Sequence, residues 1–171
     1  FTDDIADSIT PLLDEAGAPS DLSRARTAIF YSISNTQAGL KGVSFGDSLI
    51  KRVVETLQAE LPRLRNFATL SPIPGLRAWL GRNTDELLSR TPARERDELA
   101  RALDVDALSA PVVLGALDGA VGGDGRTPVA RWLLRCAAHY LGQARVDGRP
   151  ADAVARFHLG NGARIERLNW G

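Results

Sequence analysis

Apolar positions recur at helical spacing most clearly between Asp47 and Leu61, where Leu49, Ile50, Val53, Val54, Leu57 and Leu61 form one stripe. Ser44, with Asp47 three residues on, resembles a capping box at the start of that helix. Upstream, Ala28-Ile29-Phe30-Tyr31-Ser32-Ile33-Ser34 is apolar, β-branched or aromatic and then alternates, which predicts a strand leaving a core. Residues 35–42 between them read as a loop with glycines at Gly39 and Gly42. A short strand is expected at Asn66–Leu70, running into Ser71-Pro72-Ile73-Pro74-Gly75, where two prolines cannot extend a ladder. Residues 3–16 place Ile5, Ile9, Leu12 and Leu13 on one helical face, interrupted by Pro11.

The second half reads as mostly helical. Residues 76–108 predict helices separated at Gly81-Arg82-Asn83 and at Arg90-Thr91-Pro92, with a strongly charged face from Ala93 to Leu108. Residues 118–125 read as a glycine-rich loop, and Thr127-Pro128 as an N-cap with proline at the first helical position, opening a helix to about Leu141. After a polar loop, Val154–Leu159 and Ala163–Trp170 flank Gly160-Asn161-Gly162 and predict a hairpin. The order strand, glycine loop, helix, strand, helices, hairpin implies an α/β or α+β domain whose first loop points at a helix N-terminus. No internal repeat is present, and 171 residues suit one core.

Composition narrows the classes of partner. Twenty-one basic and 21 acidic residues cancel, so no global field would hold a nucleic acid, and an anion site must be local. Lysine occurs only at Lys41 and Lys51; the excess of Arg and Ala reads as coding bias and points to a bacterial cytoplasm. The single cysteine, Cys136, excludes an intrachain disulfide and a cysteine-built zinc site. No apolar run approaches the roughly 20 residues of a membrane span, and the N-terminus lacks signal-peptide features, so a soluble, non-secreted protein is expected. Methionine is absent, so Phe1 is not expected to be the translation start, and the chain reads as a fragment or processed product.

Few residues carry chemistry by pattern alone. Gln37 to Gly46, with Gly39, Gly42 and Gly46, lies between a predicted strand and a helix N-terminus, where glycines let backbone approach a ligand and free N–H groups attract phosphate. It is neither a Walker loop nor a spaced GxGxxG, and it also suits an ordinary connection. Ser71 before Pro72 reads by default as a turn residue, without a GxSxG elbow. His158, between Phe157 and Leu159 in an expected strand, faces away from both and suits either a structural or a catalytic role. His139 and Cys136, both within the 128–141 helix, read as structural.

The wording of four segments goes further. Ile29-Phe30-Tyr31-Ser32-Ile33-Ser34-Asn35-Thr36-Gln37-Ala38-Gly39-Leu40-Lys41-Gly42-Val43, Leu49-Ile50-Lys51-Arg52-Val53-Val54, Leu70-Ser71-Pro72-Ile73-Pro74-Gly75, and Phe157-His158-Leu159-Gly160-Asn161-Gly162-Ala163 with Asn169-Trp170 resemble the malonyl-CoA decarboxylase family in order and content. Residues 28–80 and 127–170 carry the resemblance, and 1–27 and 81–126 match loosely. It implies a mixed sheet flanked by helices, like the Gcn5-related acetyltransferase fold, as an incomplete catalytic domain over 1–171. The family's N-terminal helical domain and C-terminal tail are expected to lie outside it.

The same resemblance implies Ser71 and His158 as catalytic residues. It implies Ser32 on a strand lining the acyl pocket, and Gln37, Gly39, Leu40, Lys41, Gly42, Val43, Ser44 and Gly46 as the loop that binds coenzyme A. Some relatives carry an acidic residue where this chain has Ser44. The implied reaction converts malonyl-CoA to acetyl-CoA and carbon dioxide, with no cofactor or metal, no nucleic-acid or membrane partner, and room for a homo-oligomer. An acyl-CoA N-acyltransferase of the same fold, or a non-catalytic fragment binding CoA or a partner protein, are the competing expectations.

Overall fold

A computed structural model describes residues 1–13, 22–31, 45–119 and 123–170, with residues 45–48 described by backbone alone. The chain is a mix of helices and small sheets in two compact units, Phe1–Pro72 and Ile73–Gly171.

In the first unit, β1 (Thr27–Tyr31) and β2 (Asn66–Leu70) pair in parallel, in register from Thr27 opposite Asn66 to Tyr31 opposite Leu70. Parallel neighbours need a crossover, and α1 (Phe45–Glu60) supplies it. Leu57 and Leu61 near the end of the crossover pack with Phe30 and Phe67 against buried Ala25, Ala28 and Leu64. The helix therefore runs back along the strand pair. Its stripe is only partly used: Leu49 is 61% exposed. The helix expected over 3–16 does not form in its described part, which holds only a 3-10 turn at Thr10–Leu12. Pro11 lies inside that turn, where its ring and missing N–H oppose a longer helix. Thr2 instead makes an antiparallel bridge to Thr27.

The second unit is built from α2 (Leu76–Arg90), α3 (Ala93–Leu103), α4 (Ala110–Gly119) and α5 (Pro128–Gln143) around Leu80, Leu88, Leu99, Val113, Leu117, Val129, Trp132 and Cys136. The break expected at Gly81-Arg82-Asn83 is absent: α2 runs straight through it. Leu80, Thr84 and Leu88 bury one stripe across that region, and Thr84 Oγ1 donates to the Leu80 carbonyl at 2.8 Å, so tertiary packing outweighs one exposed glycine. The helix pair does separate at Thr91-Pro92, where Thr91 Oγ1 accepts from Trp132 Nε1–H at 3.1 Å.

The charged stretch is helical only to Leu103, and Asp104 at φ 53° ends it in the left-handed conformation. Its acidic residues reach across to α5, Glu98 to Arg131 at 2.8 Å and Glu95 to Arg135. Arg77 of α2 makes a two-pronged pair with Asp118 of α4, both contacts at 2.8 Å. That hydrogen bonding holds the Asp118 carboxyl below its ordinary range. The α5 start follows the sequence reading, with Thr127 Oγ1 accepting from Ala130 N–H and Pro128 in the first turn. Beyond α5, β3 (Arg145–Val146) and β4 (Arg149–Pro150) form a minute antiparallel hairpin, followed by α6 (Ala153–Gly160).

Candidate functional site

Ser71 directly follows Leu70, the last residue of β2, and Leu70 pairs with Tyr31, the last residue of β1. Because the strands are parallel, both end at the same edge. In sequence, residues 32–44 separate β1 from α1, which begins at Phe45. Ligands of open parallel sheets bind at this carboxyl edge, where the following helix directs its free N–H groups. Among the expected substrate-binding residues, Gly46 lies in the first turn of α1. Ser32, Gln37, Gly39, Leu40, Lys41, Gly42, Val43 and Ser44 lie outside the described residues.

His158 is not on a strand. Residues 153–160 form α6, and 163–170 adopt no regular structure, so the expected hairpin is replaced by a helix and an irregular tail. The glycines that suggested a hairpin turn instead stop the helix. Ala163 N–H donates to the His158 carbonyl at 3.0 Å, Gly162 N–H to the Leu159 carbonyl at 3.2 Å, and Gly162 has φ 85°, the bonding of a Schellman terminus. His158 is thus in the last turn of α6, half-buried, with its ring edge-on to Phe157 at 5.2 Å. Leu159 packs toward Tyr140 and Leu141, so neighbours in sequence sit about 100° apart around a helix and not on opposite faces of a strand. Burial pulls the His158 imidazole below the ordinary value of 6.5. The neutral ring then offers one N–H donor and one acceptor nitrogen near pH 7.

What starts α6 is a residue that pattern reading did not single out. Asp152 is 2% exposed, and its Oδ1 accepts from Val154 N–H at 3.0 Å and Ala155 N–H at 2.9 Å. Its Oδ2 accepts from Gly75 N–H at 3.3 Å. Burial, together with the negative charge of nearby Asp152, raises the Tyr140 phenol of α5 above its ordinary value. One carboxyl group therefore joins the turn at Gly75 to the helix that carries His158. A side chain at Gly75 would put its Cβ 2.2 Å from the Tyr140 hydroxyl, so the fit requires glycine. The N-cap aspartate before a short apolar run was the available signal.

Other reactive groups stand apart from this network. Cys136 is buried in α5 and its thiol is pushed up to about 12 by desolvation, as expected of a core residue. His139 lies on the exposed side of α5 against the Trp79 ring, centroids 6.0 Å apart. The groove between α3 and α5 is lined by Arg94, Glu98 and Arg131, which pair with one another. Trp170 in the tail donates from Nε1 to the Gly123 carbonyl at 2.9 Å. No helix among the described residues is long and apolar enough to cross a membrane.

The family model for the malonyl-CoA decarboxylase C-terminal domain matches residues 1–171. The chain belongs to the malonyl-CoA decarboxylase family. The resemblance read from four segments therefore extends over the whole sequence, including the stretches that matched loosely. Mitochondrial malonyl-CoA decarboxylase of Anser anser anser is 36% identical over 183 residues, and that of Rattus norvegicus 37% over 184, each alignment covering 99% of this chain and 36% of the relative. The crystal structure of malonyl-CoA decarboxylase from Cupriavidus metallidurans matches with a TM-score of 0.78 at 42% identity, covering 99% of this chain and 41% of that one. The structure from Rhodopseudomonas palustris gives 0.73 at 46%, covering 98% and 36%. This malonyl-CoA decarboxylase family chain thus spans a little over a third of the length of the curated relatives it matches.

Proposed function

We propose that the chain forms the reacting part of a malonyl-CoA decarboxylase, with Ser71 and His158 as its catalytic residues. The observation that carries this reading is Ser71 at the carboxyl edge of a parallel pair, in a chain that matches the family along its full length. The bond between the malonyl α-carbon and its carboxylate breaks, its electron pair enters the thioester as an enolate, and carbon dioxide leaves. The enolate then takes a proton at carbon to give acetyl-CoA. Such a site needs donors at the thioester oxygen, a carboxylate held out of the enolate plane, and a proton source. Ser71 orients the carboxylate or carbonyl. His158, neutral near pH 7, hydrogen-bonds the malonyl group and helps deliver the proton.

The thioester is itself the electron sink, so the reading calls for neither metal nor organic cofactor. Gln37 and residues 39–44, with Gly46 at the start of α1, would hold the coenzyme A portion, and Ser32 would line the acyl pocket. We assign the whole of 1–171 to a catalytic domain of acetyltransferase-like fold acting in a bacterial cytoplasm, a setting suggested by the arginine and alanine bias. Self-association is compatible with the exposed apolar positions of α1. Incubation with malonyl-CoA alone tests the reading: acetyl-CoA and carbon dioxide should appear without any acceptor. Product that forms only with an amine would favour an acyltransferase, and CoA binding without turnover a binding module. His158→Ala should bind CoA nearly as the parent does and lose turnover; parent-like turnover would remove His158 from the mechanism.

A further inference from the structure

We infer that Asp152 is a positioning residue for His158, a role that rests on the decarboxylase reading of the site. The two groups it serves are far apart in sequence, and one buried side chain meets both. Its Oδ1 caps α6 through Val154 and Ala155, which places His158 in the last turn of the helix. Its Oδ2 takes the Gly75 N–H, 77 residues away in the chain and four after Ser71. The Tyr140 hydroxyl of α5 stands at the same spot, 2.2 Å from where a Gly75 Cβ would lie, with Asp152 Oδ2 at 3.2 Å from that Cβ position. An eight-residue helix has little stability of its own, so its placement depends on its cap and on the few apolar contacts of Ala155 and Leu159 with Tyr140 and Leu141. A buried acceptor with several donors is also rigid, because moving it strands each of them. Neither Asp152 nor Tyr140 is given a contact with substrate here; both act through the helix that bears the imidazole.

Asp152→Asn separates the two oxygens. Asparagine caps a helix as well as aspartate does, so Oδ1 can keep Val154 and Ala155, whereas its amide presents N–H to the Gly75 N–H and loses that bond. In the full chain the variant should stay folded, with kcat for malonyl-CoA down by about tenfold or more and KM within about threefold, the pattern of a misplaced reacting group. Tyr140→Phe should lower kcat in the same direction by less.

The second readout is the His158 imidazole itself, one of the two histidines, followed by proton NMR. In Asp152→Asn the His158 midpoint should rise toward 6.5 as the helix loosens. Parent-like kcat in a folded Asp152→Asn protein overturns the inference. An unmoved His158 midpoint overturns it as well, even where the parent chain itself shows no turnover. Absent turnover in the parent, with the midpoint shifted, instead refutes the decarboxylase reading and leaves the positioning role standing.

Discussion

The β1-α1-β2 unit and the helical unit hold the two proposed catalytic side chains, Ser71 and His158, by different means. Ser71 is placed by backbone topology: wherever two parallel strands end in register, the next residue stands at their carboxyl edge. Little core is needed for that, and among its described apolar residues the unit buries only Ala25, Ala28 and Leu64 outright. His158 belongs to a unit with a continuous core from α2 to α5, yet its own helix is short and peripheral, tethered by a buried polar group. A strand end thus inherits its position from a ladder, whereas a helix end must be fastened by specific partners.

The largest expected effect tests the contrast in cores. Leu99 is 1% exposed inside the α3–α5 packing, so Leu99→Ala should lower stability by about 2–5 kcal/mol in urea unfolding. Leu49→Ala, on the open face of α1 at 61% exposure, should change it by no more than about 0.5 kcal/mol. Equal losses would mean that the two units are packed alike. Gly75→Ala comes next, because its Cβ must displace the Tyr140 hydroxyl from 2.2 Å; a loss of about 1–3 kcal/mol is expected, with crystallography showing α5 or α6 moved. A silent Gly75→Ala would show that the polar junction is loose.

The smallest effect is one of pH. His158 titrates below its ordinary value because burial disfavours its charged form. In acid the unfolded chain therefore binds the proton first, between 6.5 and the lower folded value, and stability falls as pH drops through that window. Its contribution is complete above 6.5. His158→Asn should flatten this part of the stability–pH curve without altering the slope above neutrality; an unchanged acid limb would show that the imidazole is not a buried base in solution.

Several elements were legible because their signals are local. The β2 strand ends where Ser71-Pro72 forbids a ladder, α1 follows its apolar stripe, and Thr127-Pro128 opens α5 with the expected cap. Two hairpin signals in the C-terminal region were read the wrong way round. Asp147-Gly148, with φ of 51° and 74°, makes a two-residue turn of type I′ character between β3 and β4 in what read as a polar loop. Gly160-Asn161-Gly162 read as a turn and is a helix terminus. Six apolar-rich residues from Val154 to Leu159 fit a strand or a helix equally by pattern.

By itself the sequence determined the family, the residue types at the two proposed catalytic positions and the strand end that presents Ser71. These rest on short runs whose meaning does not depend on distant neighbours. The tertiary structure decided that His158 lies in a helix, that Gly81 is crossed without a break, and that Asp152, Tyr140 and Gly75 form one junction. A donor and acceptor 77 residues apart share no local pattern, and only burial, which makes an unpaired polar group costly, brings them into register.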